Sequence, residues 1–187
     1  MVFPLRRLKF TIWFLLALSC FAFIFFVPIQ TVEVKVANSL WLRIPVSVGG
    51  RFETLYVHSV QKTPVIDEYV ISCGRIWQWQ EKVKSHNAGL PFEVPRNGKF
   101  IASDEWFYFR GGRFNWNVFF LRVGNHILGK NVITFRRGFI DNAAGARTYK
   151  LFAIVQGKKL AVGLSPITIA MSLFSKESLV ILPNMVE

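Results

Sequence analysis

Hydrophobic and polar positions divide this chain into two unequal parts. From Phe10 to Val32 the run "FTIWFLLALSCFAFIFFVPIQTV" carries no charge, and its apolar core ends near Pro28. A helix crossing a bilayer needs roughly 20 such residues. Beyond it the pattern changes to short alternating runs: "TVEVKV", "LWLRIPVSV", "RFETLYVHSV", "EYVIS", "IWQWQEKV", "KFIA", "EWFYFR", "RFNWNVFFLRV", "NVITF", "YKLFAIV" and "KLAVGL". Alternation of this period marks half-buried strands. Turn residues separate the runs, with hairpin signals at Asn97-Gly98, Gly111-Gly112 and Gln156-Gly157. Together these predict an all-β fold, an antiparallel β-sandwich or barrel-like domain, behind one N-terminal transmembrane helix. The boundaries follow: a basic N-terminus over 1–9, a membrane anchor over 10–30 and a β domain over 31–187. The apolar run "LAVGLSPITIAMSLF", broken by Gly163 and Pro166, is short for a second span and predicts a buried strand or a short helix on the sheet.

Charge orients the anchor. Arg6, Arg7 and Lys9 stand directly before the apolar run, and the mixed pair Glu33 and Lys35 follows it. The positive-inside rule therefore expects the N-terminus in the cytoplasm and the β domain outside. The run is too long, and lacks the small-residue site, for a cleaved signal peptide, so an uncleaved anchor is expected. The whole chain carries a formal charge of +12. In an extracytoplasmic domain that charge points to anionic headgroups or an anionic ligand rather than to nucleic acid. Two cysteines, Cys20 in the anchor and Cys73 beyond it, leave the β domain without an internal disulfide.

Two places concentrate chemistry. In the first, a two-residue turn at Gly111-Gly112 would set Arg110 opposite Arg113, Phe109 opposite Phe114 and Phe107 opposite Trp116. The rings would then share an inward face, and the two arginines would stand ready for solvent or an anion. The second is "YVHSVQKTPVIDEYV", residues 56–70. Pairing Val60 with Ile66 across a five-residue connection puts His58 opposite Glu68 on one face, with Lys62 and Thr63 on the loop above. Glu68 would fix the imidazole tautomer or stabilise its charged form. A structural ion pair capping a sheet end explains the same pattern equally well.

The segment "HSVQKTPVIDEYV", followed by "SHNAGLP", resembles a bacterial family called domain of unknown function 1850. His58, Ser59, Lys62, Thr63, Pro64 and Glu68 match its first motif, and Ala88, Gly89, Leu90 and Pro91 its second; the likeness covers about residues 45–135. His86 and Asn87 stand where the family pattern leads one to expect an aromatic residue and a glycine, a change that Asn tolerates better than most residues. The resemblance implies a bacterial inner-membrane location and an association with TAXI-type TRAP solute transporters.

Other chemistry is weaker. His58, His86 and His126 lack the close spacing of zinc sites, and Ser59 and His58, as strand neighbours, point to opposite faces. No nucleotide fingerprint and no cofactor motif is present. The expectation is a single-pass accessory or ligand-binding module, tied to the membrane through 10–29, whose partner is a transporter subunit or a small anionic solute. Its expected binding residues are His58, Ser59, Lys62, Thr63, Glu68, Asn87, Gly89, Arg110 and Arg113. The alternatives are an enzyme using His58 and Glu68 as an acid–base pair, and a structural envelope protein on anionic lipid.

Overall fold

A computed structural model describes residues 5–84, 93–112, 114–136 and 146–174. Helix α1, Leu5–Phe26, contains an apolar window, Lys9–Phe26, long enough to cross a membrane by length and composition, and none of that window is buried in protein. Large side chains such as Trp13, Phe23 and Phe26 are left bare along it. In water that much exposed apolar surface is unfavourable; in hydrocarbon it is the expected finish.

Pro28 starts β1 (Pro28–Val36), which pairs antiparallel with β2 (Ser39–Val46) and with β12 (Lys159–Thr168). Strand β9 (Val118–Arg122) completes a four-stranded sheet in the order β2-β1-β12-β9. The larger sheet draws on β3 (Arg51–Val57), β4 (Pro64–Ser72), β5 (Arg75–Val83), β6 (Gly98–Ala102), β7 (Phe107–Gly111), β8 (Asn115–Trp116), β10 (Gly129–Arg136) and β11 (Arg147–Lys150). Its order is β11-β10-β3-β4-β5-β7-β6, with β8 also on β5. The domain is thus two open, mostly antiparallel sheets, and the strands do not close into a barrel.

The main core lies between the sheets. Val32, Val34, Val36, Leu160 and Val162 from the small sheet meet Phe52, Ile71, Ile76, Ile133 and Phe135 from the large one. Aromatic rings bind the layers: Phe52 stacks on Tyr69 at 4.8 Å, and Phe119 of β9 reaches over to Tyr69 at 4.9 Å. A second, smaller cluster of Val65, Val83 and Phe109, flanked by Tyr56 and Phe107, comes from the large sheet alone.

The apolar tail is both of its expected forms in sequence. It is strand β12 up to Thr168 and then a short helix, α3 (Ile169–Phe174), which lies beside α1 as well as β12. Another short helix, α2 (Leu151–Ile154), packs on β10.

Gly111-Gly112 corrects a prediction. The chain does not turn back there. Both β7 and β8 run along the same neighbour, β5, with Gln80 opposite Arg110 and Trp77 opposite Asn115. The glycines, at φ 86° and 99°, form a bulge that lets the strand leave β5 and rejoin it. A Cβ on Gly112 would stand 2.6 Å from the Pro95 Cβ. The signal was real, since positive φ is needed, but a bulge uses it as readily as a hairpin turn. Consequently Phe109 is buried and Phe114, its expected partner, is 55% exposed.

Candidate functional site

Strands β3 and β4 do not pair as the 56–70 stretch suggested. Tyr56 lies opposite Val65, Thr54 opposite Asp67 and Glu53 opposite Glu68. Parity explains the correction. Phe52 and Thr54 on β3, and Val65, Tyr69 and Ile71 on β4, are all buried, so even positions of one strand must face odd positions of the other. Pairing His58 with Glu68 joins even to even and would turn one buried set out to water. The His58–Glu68 pair is therefore absent.

His58 instead closes the turn that joins these strands. Its backbone N–H donates to Thr63 O at 2.9 Å, and its carbonyl accepts from the Lys62 N–H at 3.0 Å. The imidazole Nδ1 accepts from the backbone N–H of Gln61 at 3.2 Å and of Val60 at 3.3 Å. Lys62 is exposed and adopts φ 56°, a left-handed conformation, while Ser59 is exposed beside it. The Thr63 hydroxyl is buried with no hydrogen-bond partner among the described residues. So His58, Ser59, Lys62 and Thr63 build one turn, and the imidazole is its backbone cap.

Glu68 belongs to the opposite face of the large sheet. It forms an ion pair with Lys82 and accepts from Gln80 Nε2 at 3.3 Å, while Arg110 Nε donates to Gln80 Oε1 at 2.7 Å. Glu68 and Arg110 are thus brought into one network, away from His58. Asn87, Gly89 and Arg113 lie outside the described residues.

The inner face holds a constellation that the sequence reading missed. Asp67 of β4 stands directly opposite Glu81 of β5, and Thr54 of β3 directly opposite Asp67. Cross-strand neighbours of this kind have Cβ atoms about 4.5–5.5 Å apart. Gln78 Nε2 donates to Asp67 Oδ1 at 2.9 Å. Tyr56 and Tyr69 flank the pair from β3 and β4, and Phe109 stands opposite Glu81 on the far side.

Burial shifts every titratable group here in the same direction. It raises Asp67 to about 6, against a smaller opposing effect of the Gln78 hydrogen bond. Burial first, and the Asp67 charge second, raise Glu81 to about 7. Tyr56 is pushed to about 12 by burial and then by both carboxylates, and Tyr69 is raised by burial and Asp67. Thr54, 2% exposed, interacts through its hydroxyl with that of Tyr69, a side-chain hydrogen bond that opposes part of the rise caused by burial.

A bulge hid this arrangement. Gln80 faces Glu68 and Gln78 faces Tyr69, leaving Trp79 without a counterpart. Simple alternation from Ile76 and Gln78 would send Glu81 outward; the extra residue returns it to the inner face. Asp67 was visible, because it alternates with Val65, Tyr69 and Ile71.

Among the described residues, no group of three or more His, Cys, Asp or Glu side chains is arranged to hold a metal ion. No curated protein and no solved structure matches the chain. Residues 52–139, which carry β3, the capped turn and both carboxylates, match the family described as Domain of unknown function (DUF1850).

Proposed function

We propose that this protein is a membrane-anchored, extracytoplasmic binding module, and that its binding face is the inner surface of the large sheet around Asp67 and Glu81. One observation carries the reading: two opposed carboxylates, with no ion-pair partner among the described residues, sit on a face lined by Tyr56, Tyr69, Val65, Val83 and Phe109. Buried like charges are costly, and a fold keeps them where a ligand or a proton offsets the cost. The basic residues before α1 support the outward orientation. The family resemblance supports service to a TRAP-type solute transporter, as the component that presents or senses solute.

A second reading rests on the near-neutral titration of both carboxyls, about 6 and about 7, a property suited to acid–base catalysis. Binding is preferred because the hydroxyls on that face are not activated: burial and then the carboxylates raise both tyrosines, and Thr54 is buried.

The test is a thermal-shift screen of the full chain in lipid nanodiscs against solutes grouped by charge. At least one class should stabilise the wild type and leave the Asp67→Asn/Glu81→Gln variant unmoved. Equal shifts in both proteins for every class would overturn the reading.

A further inference from the structure

We propose that the end of the β domain nearest α1 is a lipid-binding rim, on which a row of arginines holds the phosphates of anionic headgroups beside the anchor. The proposal rests on α1 crossing a bilayer and is independent of the Asp67–Glu81 face.

Register places that end. Strand β1 starts at Pro28, just after α1, and Pro28 lies opposite Thr168 of β12. Val46 of β2 lies opposite Gln30, so the loop over 47–50 comes back to the level at which α1 ends. There the Gly49 N–H donates to Ile71 O at 2.7 Å and the Ile71 N–H to Gly50 O at 2.9 Å, which brings the β4–β5 turn to the same end. Antiparallel pairing carries the start of β3, the finish of β10 and the start of β11 there too.

Four of these strand ends carry an arginine. The row runs Arg147 on β11, Arg136 on β10, Arg51 on β3 and Arg75 on β5. Lysines collect at the opposite end, where Lys62, Lys84, Lys130 and Lys158 stand. A guanidinium presents a planar fork that fits two phosphate oxygens at once, which an ammonium does not.

Ion pairs inside the domain leave that charge in place. Along β3, Glu53 faces Glu68 of β4; Glu53 is bound to Arg136 and Glu68 to Lys82. Arg51 is exposed and directly opposite Arg136. Arg75 is exposed too, with Nη1 donating to Asn115 Oδ1 at 2.7 Å. Neither Arg51 nor Arg75 has an ion-pair partner among the described residues. Like charges directly opposite on neighbouring strands repel, and a headgroup phosphate between Arg51 and Arg136 removes the repulsion.

Apolar side chains at the same end favour lipid over an acidic protein. Val48, on the loop beside the arginines, is 71% exposed, and Met171 of α3, which lies beside α1, is 55% exposed. Apolar tips next to phosphate-binding cations match the layering of a membrane interface, hydrocarbon below and headgroups above. The Ile169 N–H donates to Val27 O at 3.2 Å and holds this end against the anchor. Attraction to a charged surface fades over about 8 Å at physiological salt, so the arginine row is placed to feel it and the far lysines are not.

Cys73 lies in the β4–β5 turn of the rim, and Ser39 at the far end, opposite Val36. The test uses the full chain with Cys20→Ser and a dansyl group on Cys73, in nanodiscs whose lipids carry a headgroup nitroxide quencher. The control reporter is Ser39→Cys in a Cys20→Ser/Cys73→Ser background. Discs of phosphatidylcholine with about one-third phosphatidylglycerol should quench the Cys73 reporter about twofold or more beyond phosphatidylcholine alone. That excess should vanish in Arg51→Gln/Arg75→Gln, and also in about 1 M salt, where screening acts over about 3 Å. The Ser39→Cys reporter should stay unquenched in every disc. A Cys73 reporter as unquenched as the control would show that this end stands clear of the bilayer and overturn the proposal. Equal quenching with and without phosphatidylglycerol, or an excess that survives both salt and the double variant, would overturn the role of the arginines. The solute screen above decides the Asp67–Glu81 reading separately.

Discussion

His58 shows how a residue can be legible as important and misread in role. Its place at the head of "HSVQKTP" marked it, but the sequence does not say whether an imidazole faces a carboxylate or its own backbone. Here Nδ1 accepts from the Val60 and Gln61 N–H groups, as the side chain of a helix cap would. His58→Ala should therefore destabilise the domain by about 1 kcal/mol, and chemical denaturation measures it. Thr63→Val should behave oppositely. Its hydroxyl is buried without a partner among the described residues, so an isosteric methyl should leave stability unchanged or raise it by up to about 1 kcal/mol. A loss above that amount would show that the hydroxyl has a partner in solution. Lys62, at φ 56°, carries backbone strain that its chemistry gave no hint of.

At the scale of strands, alternation predicted most of the elements but not their registers. The β3–β4 pairing was decidable from parity, because Phe52, Val65, Tyr69 and Ile71 are the apolar positions that must share a face. Two bulges were not decidable. The one at Trp79 returns Glu81 to the inner face, and the one at Gly111-Gly112 replaces a hairpin; each depends on contacts with strands distant in sequence. The second bulge makes a clean contrast. Phe109→Ala should cost about 3–5 kcal/mol, since the ring is buried at 4% exposure, whereas Phe114→Ala, at 55%, should cost about 0.5 kcal/mol or less. Equal costs would restore the hairpin.

The carboxylate pair gives the sheet a pH signature whose sign follows from linkage. Asp67 and Glu81 have folded-state values raised to about 6 and about 7, from ordinary values near 3.8 and 4.5. The folded state then holds more protons than the unfolded one between roughly pH 4 and 7. Their contribution is complete below pH 4 and is lost as pH rises through 7, by on the order of a few kcal/mol for the pair. Glu33 works the other way: burial is outweighed by Lys35 and Arg43, its value is lowered, and its contribution is lost in acid. Unfolding melts of the unliganded protein should thus show higher stability at pH 5.5 than at pH 8. Asp67→Asn should flatten that difference and stabilise the protein at pH 8. A variant as pH-dependent as the wild type would remove Asp67 from the account.

For the whole molecule, the decisive feature is where the sheet meets the anchor. Strand β1 begins at Pro28, two residues after α1 ends, and pairs along its length with β12, from Pro28 opposite Thr168 to Val36 opposite Leu160. The Ile169 N–H donates to Val27 O at 3.2 Å, so the chain returns to the end of α1 before α3 begins. That closure was only half visible in sequence, since an apolar run broken by Gly163 and Pro166 fits a strand and a helix alike. It has a mechanical consequence: the small sheet is fastened to the candidate membrane-spanning helix by two adjacent segments, so where that helix crosses a bilayer the β domain sits on one side of it as a unit. The positive-inside rule, applied to Arg6, Arg7 and Lys9, expects the outer side. Cys73 is a natural probe, being exposed, unpaired and in the turn between β4 and β5, while Cys20 lies within α1. A membrane-impermeant maleimide applied to intact bacterial spheroplasts should label the wild type and fail to label Cys73→Ser. Labelling that needs prior permeabilisation would place the β domain in the cytoplasm, and with it the Asp67–Glu81 face, out of reach of any extracytoplasmic solute.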